Sequence, residues 1–155
     1  MEGLPDKREE TLGLVDLDGA MSVLTCAHRL RTMLNDYARQ SVGLTIERVS
    51  ALCVIDLAKS LTIGQLAANL SRTENATTTL TARLASQGLV QRQRVLEGDG
   101  REVRVTLTGS AQIALVQFRS GLSAFYKSII SSPDTDVLLE LIETARGFRE
   151  EIANL

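Results

Sequence analysis

The hydrophobic period of this chain changes at Gly88, and that change constrains the fold more than any other feature. Between Thr62 and Gly88 the apolar positions recur at helical spacing: Ile63, Leu66, Ala67 and Leu70, then Thr77, Leu80, Thr81 and Leu84. After Gly88 the spacing becomes two, over residues 89–95 and again over 101–107. The stretch "LEGDG" separates the two alternating runs, and its glycines and aspartate tolerate the left-handed backbone of a tight turn. Two short helices joined by a turn and followed at once by a β-hairpin is therefore the expected core of the fold.

Local signals place the boundaries. Thr62 with Gln65 three residues on forms a capping box, so a short helix starts there. In "SRTEN" both Ser71 and Thr73 are N-cap candidates, and Glu74 favours a helix start through the dipole. The following "ATTTLTARLASQG" holds four threonines, which lean towards strand. Its spacing and the C-terminal Gly88 favour helix, with tertiary packing overriding propensity. In the return strand Val103, Val105 and Leu107 face one way and Glu102, Arg104 and Thr106 the other.

Helical patterns flank this centre. One runs over about 16–39, through Leu17, Met21, Leu24, Leu34 and Ala38, and a second over about 46–58. Gly43 offers the stop between them. After the hairpin, "LTGSA" starts a helix over about 109–131, and "SSPDTD" separates it from a last one over about 135–153. Residues 1–13 read as a flexible acidic tail, and 14–155 as a single domain. The fold class is mainly α with a small β-hairpin wing. A winged helix-turn-helix over about 46–107 sits between dimerisation helices over about 16–39 and 109–153. The apolar stripes of those flanking helices exceed what the small winged centre can cover, so a homodimer is expected.

Composition excludes several classes of function. No apolar run is long enough to span a membrane, and the N-terminus lacks the layout of a signal peptide. Cys26 and Cys53 lie far apart with no metal-ligand spacing, so a reduced, cytoplasmic setting without cofactor or metal is expected. No Ser-His-Asp set, catalytic carboxylate pair or phosphate-cradling loop is present, so no enzyme is expected. The net charge of −2 does not announce a nucleic-acid binder, but the charge is uneven. Residues 1–20 hold six acids against two bases, whereas 62–107 hold six arginines against four acids. A phosphate backbone senses the local field rather than the total.

In the second short helix Leu80 and Leu84 fix the buried side. The helical period then puts Asn75, Thr78, Thr79, Ala82, Arg83 and Ser86 around the outer half. Asn reads adenine, Arg reads guanine or holds phosphate, and threonine methyls touch thymine. Thr73, at the start of the helix, and Arg92, on the first hairpin strand, complete this set. Arg92 and Arg94 share one strand face, with two readings open: phosphate contact or simple solvation.

The run 61–115 resembles the centre of the MarR (multiple-antibiotic-resistance regulator) family of winged helix-turn-helix transcriptional regulators. The anchors are "GLT" at 43–45, "LTIGQLA" at 61–67, "LTARL" and "GLVQR" within 80–92, "DGR" at 99–101 and "VTLTGSA" at 105–111. The resemblance implies a homodimer on double-stranded, pseudo-palindromic operator DNA. It also implies a repressor relieved by a small phenolic or lipophilic effector. It makes Arg101 the wing arginine that enters the minor groove, and Asp99 the aspartate that holds the wing. Arg72 departs from the family, which usually has an apolar residue in that turn. Glu74 departs too, since a basic or polar residue is more usual there, and a carboxylate near phosphates weakens binding.

Two alternatives follow from the same residues. The acidic total and Glu74 suit a winged-helix interaction module with weak or lost DNA binding. Cys26 suggests a thiol redox switch, although a small core residue is the simpler reading of it, and of Cys53. His28 reads as an ordinary helix residue rather than a metal ligand.

Overall fold

A computed structural model describes residues 17–94 and 102–129; within these, the side chains of 17–20, 22, 23, 26, 128 and 129 are not described. The tail expected over 1–13, the hairpin tip with Asp99 and Arg101, and the helix expected over 135–153 lie outside the described residues.

The first helix, α1 (Leu17–Val42), runs three residues past its expected end. It stops where Gly43 takes φ +69° and donates its N–H to the Arg39 carbonyl at 3.1 Å. Helix α2 (Ile46–Ala58) occupies the expected span, with Thr45 as N-cap. The Asn35 side-chain oxygen accepts from the Ile46 N–H at 3.1 Å, which pins the start of α2 to α1. After α2, Lys59 turns the chain at φ +66°, and the Ser60 N–H donates to the Ala58 carbonyl at 2.8 Å.

That sharp turn opens a strand absent from the sequence reading, β1 (Leu61–Thr62). Two residues are too few to show a period of two. Helix α3 (Ile63–Asn69) begins with the expected capping box: the Thr62 hydroxyl accepts from the Gln65 N–H at 3.1 Å, and the Gln65 side chain accepts from the Thr62 N–H at 3.0 Å. Helix α3 ends with Ser71 at φ +51° and the Arg72 N–H donating to the Ala67 carbonyl at 2.9 Å. Ser71 thus closes α3, and Thr73 is the N-cap of α4 (Glu74–Ser86), accepting from the Ala76 N–H at 3.3 Å. Helix α4 ends at Gly88, φ +68°, where the Leu89 N–H donates back to the Leu84 carbonyl at 2.9 Å.

Strands β2 (Val90–Arg94) and β3 (Val103–Leu107) are antiparallel, and β1 adds to the free edge of β3, giving the order β1-β3-β2. Val90 pairs with Leu107, Arg92 with Val105, and Leu61 also with Val105. Helix α5 (Gly109–Ile129) starts from Thr108. The Thr108 hydroxyl accepts from the Ala111 N–H at 3.3 Å and donates to the Gly88 carbonyl at 2.7 Å, so the end of α4 and the start of α5 share one anchor.

The core draws on every described element. Leu52 and Ile55 of α2, Leu66 of α3, Leu84 of α4 and Val105 of β3 are fully buried, with Leu115 and Phe118 of α5 beside them. Tyr37 of α1 docks on α5: its hydroxyl donates to the Phe118 carbonyl at 2.9 Å, and its ring stacks on Phe125 at 4.7 Å. Among the described residues, no helix is long and apolar enough to cross a membrane.

Candidate nucleic-acid interface

Helix α4 resolves its threonine problem by sorting the threonines. Thr77 and Thr81 are fully buried with Leu80 and Leu84. Their hydroxyls donate to the Thr73 and Thr78 carbonyls, each at 3.0 Å, so only methyls meet the core. Thr73, Asn75, Thr78, Thr79, Ala82, Arg83 and Ser86 are all exposed, as the helical period requires. Thr79 donates its hydroxyl to the Asn75 carbonyl at 3.1 Å. What it turns outward is therefore a methyl and an acceptor. The Thr73 hydroxyl accepts as a cap, which leaves its proton free to donate.

Two clefts run along the flanks of this helix. The one towards the sheet, about 600 Å³, is lined by Thr62, Gly64, Glu74, Thr78, Arg92 and Glu102 among others. Arg92 comes to α4 here because its register opposite Val105 puts both on one sheet face, and that face is exposed beyond the core. Arg94, opposite Val103, lies on the same face. Glu74 folds towards the start of α3; a Cβ at Gly64 would stand 3.0 Å from its carboxylate.

The cleft on the other flank, about 350 Å³, lies between α4 and the start of α2 and is lined by Thr45, Glu47, Arg48, Arg72, Ala76, Thr79, Leu80 and Arg83. Arg72 Nη2 donates to Glu47 Oε1 at 3.2 Å, and Arg48 Nη1 donates to Gln87 Oε1 at 3.3 Å. The first turn of α2 thus braces α4 near both ends. Sequence reasoning missed Glu47 and Arg48, because no local pattern links them to residues 25 and 39 positions away.

The structure therefore brings Thr73, Asn75, Thr78, Thr79 and Arg83 onto one exposed surface and sets Arg92 beside it. The two wing residues, Asp99 and Arg101, lie outside the described residues. Away from this surface, Arg119 of α5 holds Asp56 of α2 at 3.0 Å, and Lys59 adds a contact at 3.4 Å. The Arg119 hydrogen bond keeps the Asp56 carboxyl below its ordinary range. Burial pushes the half-buried Cys53 thiol up, with Arg119 partly opposing. The Cys26 side chain is outside the described set, and His28 is exposed. Among the described residues, no cluster of His, Cys, Asp and Glu could hold a metal ion.

Residues 44–103, from just after α1 to the first residue of the return strand, match the MarR family model. Over this stretch the winged helix-turn-helix of the chain is similar to the MarR family. Solved structures carry the likeness beyond that domain. A cysteine-to-serine mutant of MarR from E. coli, complexed with operator DNA, superposes with a TM-score of 0.71 at 22% identity, covering 92% of this chain and 98% of that one. A MarR family transcriptional regulator from Silicibacter pomeroyi gives 0.67 at 22% identity, over 86% and 88%. The organohalide-sensing regulator RdhR, in its 2,4-dichlorophenol-bound form, gives 0.69 at 19% identity, over 99% and 90%. No curated protein matches the chain by sequence. At these identities the structures show a shared MarR-type fold, with the flanking helices α1 and α5 included in it.

Proposed function

We propose that this chain is a homodimeric, operator-binding transcription regulator, a repressor whose release from DNA is driven by a small lipophilic or phenolic ligand. The observation that carries the reading is the exposed face of α4. Asn75, Thr78, Thr79 and Arg83 stand on one outer surface, while Thr77, Leu80, Thr81 and Leu84 hold the helix from behind. A helix held in this way enters the major groove with base-reading groups in front. Thr73 donates to a phosphate at the helix start, Arg92 contacts the backbone beside it, and Arg101, with Asp99, carries the wing to the minor groove.

A MarR-type relative was solved on operator DNA, and another with 2,4-dichlorophenol bound; both support the partner and effector classes proposed here. Dimerisation is supported by apolar side chains left in the open: Met21 and Leu24 on α1, and Ile113 and Val116 on α5. A second copy that buries these faces would set two α4 helices a fixed distance apart, so half-site spacing becomes the quantity a ligand can change.

Selection of bound fragments from a genomic DNA library tests the reading. The expected outcome is an enriched inverted repeat, with half-sites about one helical turn apart. Arg101→Ala should weaken binding to the selected site while leaving the dimer intact. Recovery of unrelated fragments with no shared repeat would favour the interaction-module alternative.

A further inference from the structure

The two flanks of α4 differ in charge, and the difference assigns a contact that the base-reading face does not supply. An α-helix in the major groove has a phosphate chain along each side. On the sheet side of α4 the cleft presents one guanidinium, Arg92, with two carboxylates, Glu74 and Glu102, the latter paired to Arg104 at 3.5 Å. On the α2 side three guanidiniums, Arg48, Arg72 and Arg83, surround a single carboxylate, Glu47.

Little neutralises these three cations. Arg48 is held by the neutral amide of Gln87, and among the described residues no carboxylate forms an ion pair with it. Arg72 is paired to Glu47 at 3.2 Å, with both side chains well exposed. Such a pair is weak in water and readily gives way to a stronger acceptor. Arg83 projects from α4 itself, one turn beyond Thr79. The backbone turn at Ser71 is what delivers Arg72 to this place, because the bond from its N–H to Ala67 fixes its origin beside the α2 start.

We infer that the cleft between the first turn of α2 and α4 is a seat for one backbone phosphodiester of the bound duplex, gripped by Arg48 and Arg72, with Glu47 as an internal anion that occupies Arg72 until DNA arrives. The inference rests on the DNA-binding reading above. Its chemistry is that of guanidinium forks on phosphate oxygens. The grip is stronger on the α2 flank, because on the sheet flank Arg92 shares its cleft with the Glu74 carboxylate. Glu47 makes the seat self-limiting, since the phosphate must displace it from Arg72.

The test measures affinity against salt concentration for the full chain and its variants, on a selected operator and on an unrelated duplex. Arg48→Gln and Arg72→Gln should each weaken binding to both duplexes alike and flatten the log–log salt slope by about one unit. Arg48→Lys should restore the slope, because the charge returns. Glu47→Gln should tighten binding to both duplexes, a gain that a folding defect cannot produce. Wild type that binds, with Arg48→Gln and Arg72→Gln keeping its slope and Glu47→Gln its affinity, overturns the phosphate seat and leaves the regulator reading standing. Wild type that binds neither duplex overturns the regulator reading itself, and the seat with it.

Discussion

Thr77, fully buried in the first turn of α4, donates its hydroxyl to the carbonyl of Thr73, 3.0 Å away. That carbonyl also accepts the Thr77 N–H at 3.0 Å, so the hydroxyl is satisfied inside its own helix and asks nothing of the core. The core therefore depends on the methyl. Thr77→Val, which keeps the methyl and fills the hydroxyl position, should change stability by less than about 1 kcal/mol. Thr77→Ser, which keeps the hydroxyl and deletes the methyl, should cost about 1 kcal/mol through the lost burial. Urea midpoints compare the two; a larger loss in Thr77→Val than in Thr77→Ser contradicts this packing.

Tyr37 and Gly121 define how α1 meets α5. A Cβ on Gly121 would collide with the Tyr37 hydroxyl, which is fixed there by its bond to the Phe118 carbonyl. Gly121→Ala should therefore cost about 1–3 kcal/mol by overpacking. Tyr37→Phe alone should cost about 1 kcal/mol, for one hydrogen bond. In the double variant the obstructing oxygen is gone, so the two losses should not add. Simple additivity in thermal or urea unfolding would place Tyr37 elsewhere.

Much of this was legible in the sequence, for physical reasons that differ by element. Helix α2 and the capping box at Thr62 follow from local chemistry, and both appear where expected. The buried set Thr77, Leu80, Thr81 and Leu84 follows from helical spacing, which outweighed four strand-favouring threonines. Strand β1 was illegible, because its pairing with β3 is written 44 residues later, in the register of Leu61 with Val105. The choice between Ser71 and Thr73 as cap was equally closed to sequence, since it turns on the left-handed angle at Ser71. At the interface the outer face of α4 was readable from the period alone. The contribution of Glu47 and Arg48 was not, because it exists only once α2 is laid against both ends of α4.

Glu74 sits in the first turn of α4, close to the start of α3 and within the sheet-side cleft. Helix dipoles favour its charge there, and a nearby phosphate opposes it. Glu74→Gln should therefore lower stability by about 0.3–1 kcal/mol and raise DNA affinity several-fold. Unchanged or weaker DNA binding would mean that the carboxylate makes a favourable contact, as an acceptor for a cytosine amino group would be.

Burial raises the Cys53 thiol, so the thiolate is scarce at neutral pH. In a Cys26→Ser background, Cys53 should react with iodoacetamide more slowly than a free thiol, and at the ordinary rate once unfolded in urea. The sign for stability is fixed too. The folded state keeps its proton to higher pH than the unfolded state, so stability falls as pH rises above the ordinary thiol range. Replacing Cys53 with Ala should remove that part of the decline above the ordinary thiol range. Rapid labelling at pH 7 would contradict the buried, neutral thiol.

The central claim is that the outer face of α4 reads base pairs. The most direct measurement is the affinity of wild type and Arg83→Ala for the selected operator and for operators with single base pairs changed in each half-site. Wild type should lose about 1–3 kcal/mol for a change at the position read by Arg83. Arg83→Ala should bind the unaltered operator more weakly and become indifferent to that one change. An Arg83→Ala protein that keeps the full wild-type preference at every position would contradict base reading by this residue. If Asn75→Ala does the same, α4 is not the reading helix.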